Sequence, residues 1–177
     1  MLFGVKVLNK VKDVFNDYNI ITHGPVDPLN LSAPNGPWII GSFALWSYLK
    51  HVKKIHVDWM YNDIDYIVSN EEQGDKLLEY FKNTKEPMEA HPRAEGIFKF
   101  GKYQVNINPY EDIRFRLHDA DIDITQVATD NKNFYISKSA LNSLENNSFR
   151  LTGRTFNLPL TNLRIEKYTK RGFVFKI

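Results

Sequence analysis

Two spacings of apolar residues alternate along the chain, and they predict alternating helices and strands. Residues 3–18 place Val, Leu and Phe three or four positions apart among charged residues, which is the period of a helix with one buried face. The same period predicts helices over residues 43–53, after a capping box at Ser69 and Glu72, after an N-cap at Ser137, and over about residues 161–171 before Gly172. Residues 23–37, with four prolines and two glycines, predict a loop.

Short runs rich in β-branched and aromatic residues predict the strands. They lie at 38–40, 65–68, 97–100, 103–107, 122–127 and 134–136. Gly101 and Lys102 separate two of these runs, as in a two-residue hairpin with glycine first. Helices that interleave with strands, one hairpin included, predict an α/β (α+β) fold: a mixed β-sheet with helices packed mainly on one face.

Composition narrows the class of protein. A chain of 177 residues with 42% hydrophobic and 25% charged residues can bury one core, so residues 1–177 are expected to form a single domain. The absence of cysteine excludes disulfides and thiolate metal sites and suits a reducing compartment. A net charge of +2 is too small for binding to nucleic acid or membrane by bulk charge alone. No apolar run resembles a leader or a membrane span. We therefore expect a soluble, cytoplasmic protein with no membrane partner.

The most informative motif is a pair of aspartates at the start of a strand. Asp63 and Asp65 stand two positions apart ahead of an apolar run, and residues i and i+2 of a strand point to the same side. Two like charges held together repel, so a fold that keeps them adjacent commonly supplies a cation, most simply Mg²⁺. Solvated residues at a strand entrance also explain the pair, and the motif alone does not separate these interpretations.

A third carboxylate on a neighbouring strand would complete a site for two divalent cations, the arrangement used in phosphoryl chemistry. Asp123 is the candidate, because it alternates with Ile122 and Ile124 in a predicted strand. On such a strand it would share a face with Asp121 and Thr125. The alternative is a charge on the exposed face of a half-buried strand.

These motifs together resemble a known superfamily. The chain contains a strand ending in Gly41-Ser42, then a helix, then Asp63-Ile64-Asp65-Tyr66 on the next strand, and later Ile122-Asp123-Ile124. In this order the motifs resemble those of nucleotidyltransferases with a polymerase-β-type catalytic core. Within this superfamily the chain resembles small single-domain members of phage or bacterial type. The resemblance covers about residues 38–128 and implies a nucleotidyltransferase-like fold. One departure is that 20 residues separate Ser42 from Asp63, more than such proteins usually have.

The resemblance also implies a role for each matching residue. Gly41 and Ser42 would bind the triphosphate at the start of a helix, where free N–H groups meet negative charge. Asp63, Asp65 and Asp123 would be the catalytic residues and would ligate Mg²⁺ or Mn²⁺, with Asp123 also orienting or deprotonating the acceptor hydroxyl. For Gly41 and Ser42 the alternative is an ordinary helix N-cap.

The last predicted helix carries a stripe of cations. Arg164, Lys167, Tyr168 and Arg171 stand at i, i+3, i+4 and i+7 on one side. Lys167 and Arg171 are the candidate phosphate contacts, and Tyr168 could stack on a base. The alternative is a solvated face, since cations in a last turn also suit the helix dipole.

The predicted function is transfer of a nucleoside monophosphate from a nucleoside triphosphate to an acceptor hydroxyl, with release of pyrophosphate. The acceptor stays open among RNA, a protein and a small molecule. Two alternatives also remain open. One is a catalytically inactive binding protein with the same fold, and the other is a toxin-type enzyme that modifies tRNA or a protein.

Overall fold

The computed structural model describes residues 20–24, 36–84, 87–90, 95–108, 112–154 and 157–177. The helix predicted over residues 3–18 and most of the loop predicted over 23–37 lie outside these ranges. Within them, no helix combines the length and the apolar character that crossing a bilayer requires.

Ten strands and five helices make up the regular structure of the described residues, together with a short 3-10 helix at Asp123–Thr125. The strands are β1 (Ile20–His23), β2 (Trp38–Ile40), β3 (Ile64–Ile67), β4 (Met88–Ala90), β5 (Ile97–Phe100), β6 (Tyr103–Asn106), β7 (Val127–Thr129), β8 (Phe134–Ser137), β9 (Ser148–Phe149) and β10 (Val174–Phe175). The helices are α1 (Gly41–Ser47), which continues as a π-helical turn (Tyr48–Val52), α2 (Glu71–Lys82), α3 (Ile113–His118), α4 (Lys138–Glu145) and α5 (Leu158–Lys170).

Strands β1 to β8 form one sheet in the order β1-β8-β7-β2-β3-β6-β5-β4. β3 and β6 pair in parallel, whereas the other neighbours pair antiparallel. This is the mixed sheet that the sequence predicts. Its two central strands are β2, which leads into Gly41, and β3, which carries Asp65, so the two predicted motifs lie side by side.

Helices cover mainly one face of the sheet, as predicted. α1, α2 and α4 pack there against alternate strand residues, with Leu77 and Phe81 of α2 filling the space over β3 and β6. The second face carries Ile40 and Ile67, over which α3 places Leu117. Because side chains alternate along a strand, Asp65 lies on this second face with Ile67.

An aromatic cluster holds α5 in place. Tyr168 is 3% exposed, and its ring centroid lies 6.2 Å from that of Phe149 and 6.3 Å from that of Phe173. Phe149 belongs to β9, which pairs in parallel with β10 as a separate two-stranded sheet. Tyr168 is therefore a core residue, and its packing does not favour the base-stacking role suggested for it.

Several local predictions are confirmed. β5 and β6 form the hairpin, in which Gly101 has φ +54°. Ser137 caps α4, because its hydroxyl accepts a hydrogen bond from the N–H of Ala140 (3.0 Å). The capping box predicted at Ser69 and Glu72 is wrong by one position. Asn70 is the cap of α2, and its side chain accepts the N–H of Gln73 at 2.9 Å.

The strand predicted at residues 122–127 is also wrong. Ile122 forms only an isolated bridge with Leu151, residues 123–125 form the 3-10 helix, and β7 begins at Val127. The Asp123 carboxylate accepts the N–H of Ile124 (2.7 Å), which favours a turn over a strand ladder. The residue pattern did not predict α3 or the strands β1, β4, β9 and β10.

Candidate active site

A cavity of about 550 Å³ lies between the second face of the sheet and helix α5. The sheet side, including the start of α1, contributes Gly41, Ser42, Asp63 and Asp65. The opposite side contributes Arg116 from α3 and Arg164 and Lys167 from α5. We call this space the central cavity. It brings together five of the predicted site residues, but Asp123 and Arg171 are not among its lining.

Asp63 and Asp65 face the central cavity together, as their two-residue spacing predicts. β3 pairs with β2 on one side and with β6 on the other, so Asp65 lies opposite Ile40 and Gln104. Among the described residues, neither carboxylate makes a hydrogen bond or an ion pair. The sheet therefore presents two adjacent carboxylates that have no direct protein partner there.

The surroundings of Asp65 disfavour its ionised form. Burial raises the pKa of Asp65 to about 7, and repulsion from Asp63 adds to the rise. The charges of Arg116, Lys167 and Arg164 act in the opposite direction without cancelling it. A further cation beside Asp65 would favour its ionised form.

The backbone at the start of α1 approaches Asp65 closely. Gly41 has φ +73°, and a Cβ at this position would lie 2.7 Å from Oδ2 of Asp65, so only glycine fits without strain. The N-cap of α1 is Ile40, whose side chain cannot accept the first N–H groups of the helix. Ser42 lies inside the helix rather than at its N-cap. Its buried hydroxyl has no hydrogen-bond partner in the part of the chain that the structure describes.

A buried carboxylate fixes Arg164 at the opposite wall. Asp121 is 6% exposed, and its Oδ2 accepts hydrogen bonds from Thr161 Oγ1 (2.6 Å) and Arg164 Nη1 (2.8 Å). A charge-assisted bond of this kind holds the guanidinium in one orientation. Asp121 is therefore a positioning residue for Arg164 within the lining of the central cavity.

Lys167 and Arg171 occupy different surroundings. Lys167 lines the central cavity, where burial lowers its pKa and Asp63 is among the charges that oppose this effect. Arg171 stacks on Trp59, with its guanidinium carbon 4.1 Å from the ring centroid, and Nη2 donates to the carbonyl of Met60 (2.9 Å). Arg171 thus fixes the segment that leads into Asp63, and it is not placed as a phosphate contact.

The structure keeps Asp123 away from the central cavity. Its side chain is 2% exposed. Oδ1 accepts the N–H groups of Ile124 (2.7 Å) and Arg150 (3.0 Å), and Oδ2 accepts Ser143 Oγ (2.6 Å). These donors satisfy the carboxylate within the protein. The expectation that Asp123 joins the aspartate pair in a metal site is therefore corrected.

Sequence reasoning missed Arg116 and the role of Asp121. Arg116 lies on α3, whose six residues are too few to show a helical period. Asp121 directly precedes the strand predicted at residues 122–127, and its partner Arg164 is 43 positions away along the chain. The one available signal was that two aspartates, Asp121 and Asp123, flank a buried isoleucine, but nothing in that pattern tells which of them faces the cavity.

Asp63 and Asp65 are the residues that could hold a metal ion. Within the described ranges, no cluster of three or more acidic, histidine or cysteine side chains is arranged to bind one. Mg²⁺ in nucleotide sites is commonly held by one or two carboxylates together with waters and substrate phosphates. Two unpaired carboxylates facing a cavity with a basic opposite wall fit that donor set.

Comparison with known proteins gives structural neighbours alone, since no protein-family model and no curated protein matches the sequence. A Thermotoga maritima CCA-adding enzyme complexed with tRNA matches with a TM-score of 0.57 and 16% identity, over 80% of this chain and 35% of that chain. A CCA-adding enzyme in complex with ATP matches with a TM-score of 0.55 and 14% identity, over 97% and 39%. A tRNA-processing enzyme with CTP matches with a TM-score of 0.52 and 16% identity, over 79% and 40%.

This likeness defines the fold. CCA-adding enzymes are members of the nucleotidyltransferase superfamily, and the TM-scores of 0.57 and 0.55 show that the overall fold is shared. The protein has a nucleotidyltransferase-type fold, as the sequence motifs predict. It spans between a third and two fifths of the length of these neighbours.

Proposed function

We infer that the protein transfers a nucleoside monophosphate from a nucleoside triphosphate to an acceptor hydroxyl and releases pyrophosphate. One observation carries this inference: the aspartate pair and the start of α1 meet in one cavity, opposite Arg164 and Lys167. Neighbouring carboxylates and cations suit a phosphate chain with its counter-ion. The solved neighbours were captured with ATP, CTP or tRNA, which supports a triphosphate donor and makes RNA a candidate acceptor. A cytoplasmic setting, which the lack of cysteine favours, completes the proposal.

Some residues of the central cavity bind the phosphates, and others stabilise the charge that develops during transfer. Arg164, Lys167 and Arg116 contact the phosphates from one wall, and the N–H groups at Gly41 and Ser42 contact them from the other. Mg²⁺ or Mn²⁺ held by Asp63 and Asp65 would neutralise the charge that develops on the transferred phosphoryl group. Positioning and electrostatics therefore supply most of the rate enhancement.

The test follows label from each α-labelled nucleoside triphosphate into macromolecules or small molecules of a cell extract, with Mg²⁺ present. We expect Asp65→Asn to lower transfer about 10²-fold or more, the effect of removing one electrostatic group from an active site. The matched control is Asp75→Asn, an aspartate on the exposed side of α2. Transfer by Asp65→Asn equal to that of the control would refute the assignment.

A catalytically silent nucleotide-binding protein is the second candidate. The observation that favours it is the withdrawal of Asp123 from the cavity, which leaves the aspartate pair without the expected third carboxylate. Isothermal titration with ATP and Mg²⁺ separates the two candidates. Binding that depends on Asp63 and Lys167, without label transfer to any acceptor, would show that the protein binds nucleotide but has no transferase activity.

A further inference from the structure

A second concave surface, of about 360 Å³, lies along the end of α1 and the segment that follows it. Its lining consists of Trp46, Lys50, Lys54, Ile55, His56 and Val57, none of which lines the central cavity. We call this surface the basic groove. It is built from the part of the chain that makes the separation between Ser42 and Asp63 unusually long.

One stripe of the α1 helix connects the central cavity to the basic groove. Ser42 lines the cavity, and Trp46 and Lys50 follow at four-residue steps, so the three side chains lie on one side of the helix, about 6 Å apart along its axis. Exposure rises along this stripe, from buried Ser42 through half-buried Trp46 to exposed Lys50. Lys50 lies in the π-helical turn, a feature that is frequent at functional sites.

The ionisable residues of the segment 50–56 are all basic. Residues 50–56 contain three lysines and two histidines and no acidic residue. Asp58, two positions further along the chain, is exposed, and Glu145 lies 4.0 Å from Lys53. Lys50 and Lys54 have no carboxylate partner among the described residues. A polyanion would therefore be attracted to this groove although the whole chain is close to neutral.

The groove also offers aromatic and apolar surface. Lys50 Nζ lies 4.5 Å from the centroid of the Trp46 ring, and the ring of Tyr61 lies 5.3 Å from Trp46. Trp46 Nε1 is buried without a hydrogen-bond partner within the described ranges. Ile55 is 51% exposed at the same surface. Trp46 and Ile55 therefore add aromatic and apolar surface to the two lysines of the groove.

We propose that the basic groove binds a single-stranded polynucleotide, which continues along the stripe so that its terminal hydroxyl is the acceptor in the central cavity. Lys50 and Lys54 contact backbone phosphates, while Trp46 and Ile55 give bases a surface on which to stack. The proposal rests on the proposed function, because it names the acceptor class of that activity. An acidic protein would match the lysines but would leave the aromatic surface unused.

Fluorescence anisotropy with a short labelled RNA, and with DNA of the same sequence, tests the groove. It is measured on the full chain in chelator without nucleotide, so that the result does not depend on catalysis. The double variant Lys50→Ala/Lys54→Ala should weaken binding about tenfold and should reduce the steepness of log K against log salt by about 1.4, since each contact to a single strand contributes about 0.7. The RNA and DNA arms show which sugar the groove accepts.

The matched control is Lys82→Ala/Lys132→Ala, which removes two exposed lysines that line neither the groove nor the cavity. An equal loss of affinity in both double variants would mean that only bulk charge attracts the oligonucleotide, and the groove would be rejected. The acceptor role is tested separately, by label transfer to the same oligonucleotide with and without its 3′ hydroxyl. Binding without transfer would overturn that role alone.

Tryptophan fluorescence locates the contact. The oligonucleotide should quench the fluorescence of the protein, and Trp46→Phe should remove most of this change while Trp38 and Trp59 still report. Polyglutamate of equal charge should not quench Trp46. If it quenches Trp46 and displaces the oligonucleotide as effectively as unlabelled RNA does, the groove is a docking site for an acidic protein and the polynucleotide proposal fails.

Discussion

Gly41 combines a left-handed backbone conformation with a close approach to Asp65 of the candidate site. Its positive φ would cost an alanine about 1–2 kcal/mol, and the added Cβ would also approach the Asp65 carboxylate to 2.7 Å. We expect Gly41→Ala to weaken nucleotide binding about tenfold or more, because either Asp65 or the start of α1 must move. The measurement is isothermal titration beside a thermal unfolding curve.

Gly153→Ala supplies the comparison for this substitution. Gly153 has φ +78°, but among the described residues, apart from its two chain neighbours, no atom lies within 4 Å of where its Cβ would be. It therefore carries the backbone strain without the contact. If both variants lose the same stability and keep the same nucleotide affinity, the approach of Gly41 to Asp65 has no functional meaning.

Asp65 links the stability of the metal-free protein to pH. Its pKa in the folded protein is raised to about 7, so the folded state holds the proton more tightly than the unfolded state. This contribution to stability is complete below about pH 4 and is lost as the pH rises towards 7. In chelator, we expect Asp65→Asn to be more stable than the parent by about 1–3 kcal/mol at pH 8, with a much smaller difference at pH 4. Denaturant titrations at the two pH values measure this, and a difference that does not change with pH would contradict it.

Asp123 and Asp63 should respond in opposite ways to the same substitution. Asp123→Asn leaves a buried amide among donors that had a carboxylate, so it should lower the free energy of unfolding by about 1–3 kcal/mol and spare nucleotide binding. Asp63→Asn should abolish Mg²⁺-dependent nucleotide binding with little effect on the melting temperature. Loss of nucleotide binding in a folded Asp123→Asn protein would restore that residue to the site.

At the scale of elements, the sequence predicts what short-range patterns determine. The hairpin turn at Gly101, the cap at Ser137 and the aspartate strand β3 all depend on neighbours within a few positions, and the structure contains each of them. The strand expected at 122–127 fails because the Asp123 carboxylate binds Arg150 N–H, which is 27 positions away. Helix α3 was missed because its six residues are held by packing of Leu117 on the sheet rather than by a visible period.

The segment between α1 and β3 is held by Arg171. Arg171→Ala removes the stacking on Trp59 and the hydrogen bond to Met60, so the segment should exchange amide hydrogens faster and stability should fall by about 1 kcal/mol. Lys170→Ala is the neighbouring control, since Lys170 is exposed and, within the described ranges, forms an ion pair only with Glu166. Hydrogen exchange over residues 53–62 that is equally fast in both variants would show that Arg171 does not hold the segment.

At the scale of the whole molecule, the cavity joins parts that are distant in sequence. Its acidic wall comes from β3 and its basic wall mainly from α5, about a hundred positions later. The sequence shows the stripe of cations on α5. It does not show that Lys167 enters the cavity while Arg171 turns to Trp59. That division depends on which way the Tyr168 side of α5 packs, which only the tertiary structure specifies.

A ligand that bridges the two walls should stabilise α5. We expect ATP with Mg²⁺ to slow hydrogen exchange over residues 158–170 and to raise the melting temperature with the logarithm of ligand concentration. The effect should be absent in Lys167→Ala and retained in Lys170→Ala. Equal protection in both variants would place the nucleotide elsewhere.

Arg164 and Lys167 lie across the central cavity from the carboxylates of Asp63 and Asp65. A triphosphate attracted by the cations is repelled by the two carboxylates, and a divalent ion attracted by the carboxylates is repelled by the cations, so each should bind more weakly alone than in the presence of the other. Together they cancel both repulsions, and linkage then requires each to increase the affinity for the other by the same factor. The protein would in this way discriminate against free phosphates and free metal and select the complex of the two.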